Sequence, residues 1–149
     1  MPDAAPTPPA GYALVTGASS GIGEQIAREY ARRGVPLVLT ARRADRVQAL
    51  ATELQAQVPV EIVAADLADP GAPAALVAEL ERRGVKVRIL VNNAGYGVPG
   101  RYRSSQWADQ AAFLQVMVAS VCELTWRVLP SIRAAGQGRV LHVASFVPA

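Results

Sequence analysis

From residue 11 onward, short apolar runs alternate with longer stretches in which apolar residues recur every three or four positions. The short runs predict buried strands, and the longer stretches predict helices with one apolar face. Because the runs are almost continuously apolar, we expect a parallel sheet that is covered by helices on both faces. The predicted strands are Tyr12 to Thr16, Val35 to Thr40, Val60 to Ala64, Val87 to Val91 and Val140 to Ala144.

The predicted helices fill the segments between these strands. Gly34 and Gly84 end two of them, since glycine is favoured just past a helix C-terminus, and Asp69 is the expected N-cap of the third. The last helix is apolar around most of its circumference, so it needs cover on two sides. The predicted ranges are Gly21 to Arg33, Ala44 to Gln57, Pro70 to Arg83 and Trp107 to Ala135. The positions expected to face the core in the first two helices are Ile22, Ile26, Ala27 and Tyr30, then Val47, Leu50, Ala51 and Leu54.

Strands that alternate with helices predict an α/β fold. With right-handed crossovers the strands form a doubly wound parallel sheet of the Rossmann type, in the order 3-2-1-4-5 and ending after strand 5. Residues 11–149 then form one domain that is incomplete at its C-terminus. Residues 1–10 contain four prolines and are expected to be a flexible leader. Ligands of such sheets bind beyond the carboxyl ends of the strands.

Composition excludes several classes of protein. The 149 residues are 51% hydrophobic and 18% charged, which excludes a disordered or fibrous chain. The net charge of +3 comes with scattered arginine pairs, so we expect no nucleic-acid partner. We expect no membrane span, since no apolar run approaches about 20 residues. The single cysteine, Cys122, cannot form an internal disulfide, and a cytoplasmic location is the default.

Three glycines follow the first strand. Gly17, Gly21 and Gly23 allow a tight turn, a close approach to a pyrophosphate and the start of a helix whose amides favour phosphate. An ordinary glycine-rich turn is the alternative. The position between a predicted strand and a capped helix favours the phosphate site.

Arg42 follows the second strand, with Arg43 beside it. Folds that select the unphosphorylated dinucleotide usually place an acid here, whereas an arginine suits a 2′-phosphate. A solvated charge at a helix start is the alternative. Cations are disfavoured at a helix N-terminus, so the pattern favours a phosphate ligand.

Asp66-Leu67 follows the third strand, and Asn92-Asn93-Ala94-Gly95 follows the fourth. Asparagine side chains can bond backbone groups where strands separate, while the small Ala94 and Gly95 leave room for a flat ligand.

Together these motifs resemble the short-chain dehydrogenase/reductase family, from Tyr12 to about Ser145. The matching segments are TGASSGIG at 16–23, Asp66-Leu67, NNAG at 92–95, Leu124-Thr125 with Leu129-Pro130, and GRVLHVAS at 138–145. The resemblance implies an oxidoreductase that transfers hydride between NADP, less favourably NAD, and a carbonyl or alcohol substrate. It implies that Ser145 is catalytic and holds the substrate oxygen. The cofactor contacts that it implies are Gly17, Ser19, Ser20, Gly21, Ile22, Gly23, Arg42, Asp66, Leu67, Asn93, Ala94 and Gly95.

Two departures from the family pattern affect the expected activity. Met117 stands where the family has an asparagine, and the 149 residues contain no Tyr-x-x-x-Lys. We therefore expect cofactor binding without turnover at a family-like rate. A non-catalytic dinucleotide-binding or interaction module is the alternative function. A methyltransferase on the same sheet is disfavoured by NNAG and by the lack of an acid after strand 2.

The remaining candidate residues are expected to pack. His142 is predicted to fill the core or a place beside the cofactor, and Cys122 to be a packed small residue. Trp107 and Trp126 are predicted to pack rather than to stack on a ligand, and one histidine with one cysteine cannot form a metal site. Tyr96, Tyr102 and Trp107 are candidates for a substrate-pocket wall. Strand 5 would be a bare apolar edge at Val140, Leu141 and Val143, and by resemblance the long helix lies in the family's dimer interface. We therefore expect a homo-oligomer.

Overall fold

Five parallel strands form a single sheet in the computed structural model, which describes residues 10–144. Their order is β3-β2-β1-β4-β5, as the sequence predicts. The strands are β1 (Tyr12–Thr16), β2 (Leu37–Ala41), β3 (Val60–Ala64), β4 (Val87–Asn92) and β5 (Arg139–His142). Thr16 pairs with Thr40 at the carboxyl ends of β1 and β2, so polar side chains end the two central strands.

Helices α1 (Gly21–Arg32) and α2 (Ala44–Leu54) cover one face of the sheet, and α3 (Ala72–Arg82) covers the other. The expected N-cap at Asp69 is wrong. Its Oδ1 accepts the Gly71 amide at 2.8 Å and forms a turn before the helix, whose N-cap is Gly71. Pro73 lies in the first helical turn, where a missing N–H is tolerated.

The predicted single long helix is in fact interrupted. Helix α4 (Trp107–Leu114) and helix α5 (Ser120–Ala134) are joined by a π-helical turn over Gln115–Ala119. A π turn carries one residue more per turn than an α-helix, so it rotates the side chains that follow. The period of 3.6 residues in the sequence does not distinguish this widening from a continuous α-helix.

Two buried layers form the core, one on each face of the sheet. Alternate side chains of each strand point to opposite faces, so Leu37 and Leu39 pack under α1 and α2 while Val38 packs under α3 and α5. All four positions predicted to face the core in α2 are buried, and Ala27 is buried in α1. Ile22 is an exception: 62% of it is exposed at the start of α1, so its predicted core position is wrong.

The helical stretch Trp107–Ala134 is long and apolar enough to cross a membrane by length and composition, with a mean hydropathy of 1.4 over 18 residues. The expectation that no segment reaches this length is therefore wrong. Such a helix also occurs in proteins that contact no membrane, and in this chain Leu124, Val128 and Ile132 pack against the sheet. Only 22% of the apolar window is buried.

Candidate functional site

A cleft of about 260 Å³ lies at the carboxyl ends of β1 to β4. Each wall comes from a loop that follows a strand, which is where ligands of doubly wound sheets bind. The lining residues are Gly17, Ser19, Thr40, Ala41, Arg42, Ala65, Asp66, Leu67, Ala68, Ala94, Gly95, Tyr96, Ala112 and Val116.

The glycine-rich turn packs directly on the loop after β4. Gly17 has a φ of +63°, a conformation that favours glycine, and a Cβ there would lie 2.8 Å from the Cα of Ala94. A Cβ on Gly23 would overlap the Gly17 carbonyl oxygen and the Asn93 side chain. Side chains at these two positions would push the turn away from the strand.

Thr16 links the two motifs through a buried hydroxyl. Its Oγ1 accepts the amides of Asn93 at 3.0 Å and of Ala94 at 2.9 Å, and it donates to the Val91 carbonyl at 3.3 Å. In return, Asn93 Nδ2 donates to the carbonyls of Thr16 and Gly17, both at 3.1 Å. The turn after β1 and the loop after β4 therefore hold each other in place.

The two arginines after β2 differ in their partners. Arg43 forms an ion pair with Asp45 at 2.7 Å, and this hydrogen bond lowers the pKa of the Asp45 carboxyl. Arg42 lines the cleft, is exposed and forms no ion pair within residues 10–144. Arg42 is thus the arginine of the pair that is available to a ligand.

Ser120 ties the long helix to the loop after β3. Its side chain is fully buried, and its hydroxyl donates to the Leu67 carbonyl at 2.7 Å. Gln115 Nε2 donates to the same hydroxyl at 3.1 Å, across the π turn. Sequence reasoning missed Ser120, although a small polar residue on the apolar face of a helix is a signal of a close approach.

Met117 lies in the π turn and contacts the loop after β4. A Cβ on Gly95 would lie 2.8 Å from the Met117 sulfur. A thioether accepts hydrogen bonds weakly and donates none, so this position supplies packing and no polar link.

The sequence-predicted cofactor residues fall into two groups. Seven of them line the cleft together: Gly17, Ser19, Arg42, Asp66, Leu67, Ala94 and Gly95. The others lie at the start of α1 or behind the cleft: Ser20, Gly21, Ile22, Gly23 and Asn93. Ser20 is the N-cap of α1 and is exposed. The predicted catalytic Ser145 lies outside the described residues.

Three predictions of packing are wrong. Cys122 is exposed, as are Trp107 and Trp126, with 67% and 72% of their surfaces accessible. The described part of the chain contains no cluster of histidine, cysteine and acidic residues that could hold a metal.

His142 does not fill the core, and its predicted place beside the cofactor stays a prediction. His142 is exposed at the sheet edge, where its Nδ1 lies 3.2 Å from the Asn92 side-chain amide.

Comparison with known proteins identifies the family. The family model described as short chain dehydrogenase matches residues 11–148. The chain belongs to the short-chain dehydrogenase family. Its cleft is therefore built on the family's parallel sheet.

Short-chain dehydrogenases of known sequence match most of this chain. The sulfoacetaldehyde reductase of Chromohalobacter salexigens is 37% identical over 129 residues, which is 86% of this chain and 51% of that protein. The oxidoreductase UcpA of Escherichia coli K12 is 34% identical over 134 residues, or 89% of this chain and 51% of that protein. The chain thus spans about half the length of the curated relatives it matches.

Solved structures of short-chain dehydrogenases superpose well. The enzyme from Sphingobium yanoikuyae in complex with NADPH gives a TM-score of 0.83 at 35% identity, covering 91% of this chain and 53% of that chain. L-sorbose reductase from Gluconobacter frateurii, complexed with NADPH and L-sorbose, gives 0.83 at 34% identity, covering 89% and 51%. The shared fold therefore extends over nearly the whole described chain.

Proposed function

We propose that residues 11–149 form the NADP(H)-binding part of an oxidoreductase that transfers hydride between the nicotinamide and a carbonyl or alcohol substrate. The observation that carries this proposal is Arg42, which has no ion pair among residues 10–144 and lies on the wall of a cleft that begins at an intact glycine-rich turn. NADPH in the complexes of two structural neighbours supports the same cofactor.

The start of α1 fits a pyrophosphate. A Cβ added at Gly21 would have no heavy atom within 4 Å, so the turn is open on that side, and Ile22 is exposed beside it. The helix N-terminus offers unpaired amides and a positive dipole end to an anion. We assign the pyrophosphate and its ribose to Gly17, Ser19, Ser20, Gly21, Ile22 and Gly23.

The remaining walls of the cleft fit the adenine and the nicotinamide ribose. Leu67 is buried in the loop after β3 and lines the cleft with Asp66, which suits adenine. Ala94 and Gly95, held from behind by Asn93, form the floor on the β4 side, which we assign to the nicotinamide ribose. In this arrangement NADP(H) would extend across the cleft from the loop after β3 to the loop after β4.

Arg42 selects the phosphorylated cofactor in this proposal. A guanidinium can donate two parallel hydrogen bonds to a 2′-phosphate, which should strengthen binding of the phosphorylated cofactor by roughly 1.5–3 kcal/mol. Arg43 is engaged with Asp45.

When bound, the nicotinamide gives or takes the hydride. Ser145, by its match to the family motif, holds the substrate oxygen with its hydroxyl. A positioned proton donor typically contributes about 10²–10⁴-fold to such a step, and the 149 residues contain no Tyr-x-x-x-Lys to supply it. Met117 adds no proton path, since its thioether has no proton to donate.

Calorimetric titration of the chain with NADPH and NADH tests the cofactor assignment. We expect tighter binding of NADPH, a loss of this preference in Arg42→Asp, and its retention in Arg43→Asp, the neighbouring control. Equal affinities for the two cofactors in the unmodified chain would reject the assignment of Arg42.

A non-catalytic nucleotide-binding module is the second candidate function, and Met117 favours it. The contact of Met117 with Gly95 replaces a polar position of the family pattern by packing. Oxidation of NADPH followed at 340 nm against aldehydes and ketones tests the catalytic part of the proposal. Turnover that Ser145→Ala abolishes would exclude the non-catalytic module and would show that catalysis does not need the missing Tyr-x-x-x-Lys pair, whereas NADPH binding without turnover is expected for either function.

We also propose that the chain self-associates through the outer face of α5 and the π turn. Exposed apolar residues follow one another there at helical spacing: Val118, Cys122, Trp126 and Leu129. Leu141 adds exposed apolar surface on β5, the last strand of the sheet. A second copy of the chain would cover this surface.

A further inference from the structure

The loop between β4 and α4 presents two arginines without acidic partners. Arg101 and Arg103 lie on either side of Tyr102, and all three are exposed. Seven other arginines of the chain form ion pairs, but these two form none within residues 10–144. Asp109 is the sole acid between positions 94 and 122. The loop therefore carries uncompensated positive charge.

Hydrogen bonds fix the backbone that carries these arginines. Residues Tyr102–Ser104 form a 3₁₀ turn, and Ser105 Oγ donates to the Tyr102 carbonyl at 2.6 Å. Gln110, in α4, donates through Nε2 to Ser105 Oγ at 2.8 Å. The turn is thus tied to α4 through polar side chains other than the arginines, whose guanidinium groups stay available.

The chain reaches the wall of the cleft both before and after the arginine turn. Tyr96, near the start of the loop, and Ala112, in the second turn of α4, line the cleft, whereas Arg101 and Arg103 lie outside its lining. The Tyr96 ring packs edge-on against Phe113, with centroids 5.8 Å apart. The arginine turn is therefore flanked in sequence by residues of the cleft wall near Gly95.

The phosphate-binding groups lie on the other side of the cleft. Arg42 follows β2, whereas the loop with Arg101 and Arg103 follows β4, and β1 lies between these strands in the sheet. A dinucleotide bound as proposed would place its nicotinamide, not its 2′-phosphate, on the β4 side. The loop that carries the two arginines is therefore on the side where a substrate would meet the nicotinamide.

We propose that Arg101 and Arg103 bind an oxyanion on the substrate, a sulfonate or a carboxylate, separate from the carbonyl that reacts. Guanidinium groups match such oxyanions in geometry and charge. This inference rests on the proposed function, because it needs the nicotinamide at Gly95. The sulfonate of sulfoacetaldehyde, for which one relative is named, belongs to this chemical class.

The test uses two small ligands of nearly equal shape and different charge. Ligand-observed NMR measures binding of 2-hydroxyethanesulfonate and of its neutral analogue 2-(methylsulfonyl)ethanol to the chain saturated with NADPH. The variants are Arg101→Gln and Arg103→Gln. Arg133→Gln is the control, since Arg133 is an exposed arginine in the last turn of α5 with no ion pair in the described chain.

We expect the unmodified chain to bind the sulfonate at least roughly tenfold more tightly than the sulfone, because one charge-assisted hydrogen bond is enough for a difference of that size. Each loop variant should lose most of this preference, while Arg133→Gln and the affinity for NADPH stay unchanged. Equal binding of the two ligands, or no binding of the sulfonate, overturns the inference and leaves the cofactor proposal intact. A fall in NADPH affinity in the loop variants also overturns it. A chain that does not bind NADPH at all rejects the proposed function and this inference with it.

Discussion

The inner strand β2 and the edge strand β5 differ in how completely the chain covers them. In β2, the residues from Leu37 to Thr40 are all buried between α1 and α2 on one face and the second core layer on the other. In β5, Arg139, Leu141 and His142 are exposed, and the helix beside this strand presents an apolar outer face. Strands β1 to β4 therefore support a preformed ligand cleft, whereas the edge strand β5 needs a further surface to cover it.

The largest expected effect compares the same substitution in the inner strand β2 and in the edge strand β5. Leu39→Ala removes a fully buried side chain and should lower the free energy of unfolding by roughly 2–5 kcal/mol. Leu141→Ala changes a side chain that is 41% exposed and should cost less than about 1 kcal/mol. Urea denaturation of both variants measures the difference. Similar losses would show that β5 is as well packed as β2 in solution.

The next effect concerns the link between the two central loops. Thr16→Val keeps the shape of the side chain but leaves the amides of Asn93 and Ala94 without their acceptor. Each unsatisfied amide should lower the free energy of unfolding by roughly 1–3 kcal/mol. NADPH affinity should fall as well, because the glycine-rich turn loses its support. Thr40→Val is the control: it removes one bond, to the Val63 carbonyl, and should cost roughly 0.5–1.5 kcal/mol. Equal losses of unfolding free energy in Thr16→Val and Thr40→Val would contradict the linking role of Thr16.

A smaller effect is expected at the exposed apolar face of the helix beside β5. Val118→Glu places a charge in the exposed apolar face of the helix and should weaken self-association by about tenfold or more, since burying a charge without a partner is costly. Light scattering over a range of concentrations measures this effect. Gln25→Glu, at an exposed position of α1, is the control and should leave the average mass unchanged. A unmodified chain that is monomeric at all concentrations would remove the proposed interface.

The smallest effect is a pH dependence on the surface of α3. Arg82 and Arg83 donate hydrogen bonds to Glu79 and lower the pKa of its carboxyl to about 2, from 4.5. A lowered pKa in the folded chain means that Glu79 stabilises the fold above pH 4.5 and that this contribution is lost as the pH falls toward 2. Because Arg82 is exposed and Glu79 and Arg83 are partly exposed, solvent screens these pairs and the gain in stability is small.

Acid unfolding followed by circular dichroism tests this pair. Glu79→Gln should flatten the stability curve between about pH 4.5 and 2. Glu81→Gln, a neighbouring exposed acid with no ion pair in the described residues, should leave the curve unchanged. Identical curves for all three proteins would assign the acid sensitivity to other groups.

Local patterns predict the elements of this fold well. The apolar spacing in α2 identifies all four of its buried positions, because helical periodicity depends only on neighbouring residues. Gly34 and Gly84, with φ of +75° and +70°, end their helices as expected. Strand order follows from the short right-handed connections.

Features that depend on distant parts of the chain could not be predicted in this way. Ile22 fits the helical pattern of α1 but is exposed at the cleft end of the sheet, and Trp126 fits an apolar helix but lies on its uncovered face. The hydroxyl of Ser120 bonds a carbonyl 53 residues away, which no local pattern encodes. The candidate site is therefore predictable in its loops and unpredictable in the contacts that hold them.

Amide hydrogen exchange with and without NADPH tests most directly whether the cleft at the carboxyl ends of β1 to β4 is the cofactor site. We predict slower exchange on adding NADPH in the segments around 17–23, 66–68 and 93–95, with no change at β5 or along the outer face of α5. Slower exchange confined to β5 and α5, or no change anywhere at saturating NADPH, would contradict the assignment of the cleft.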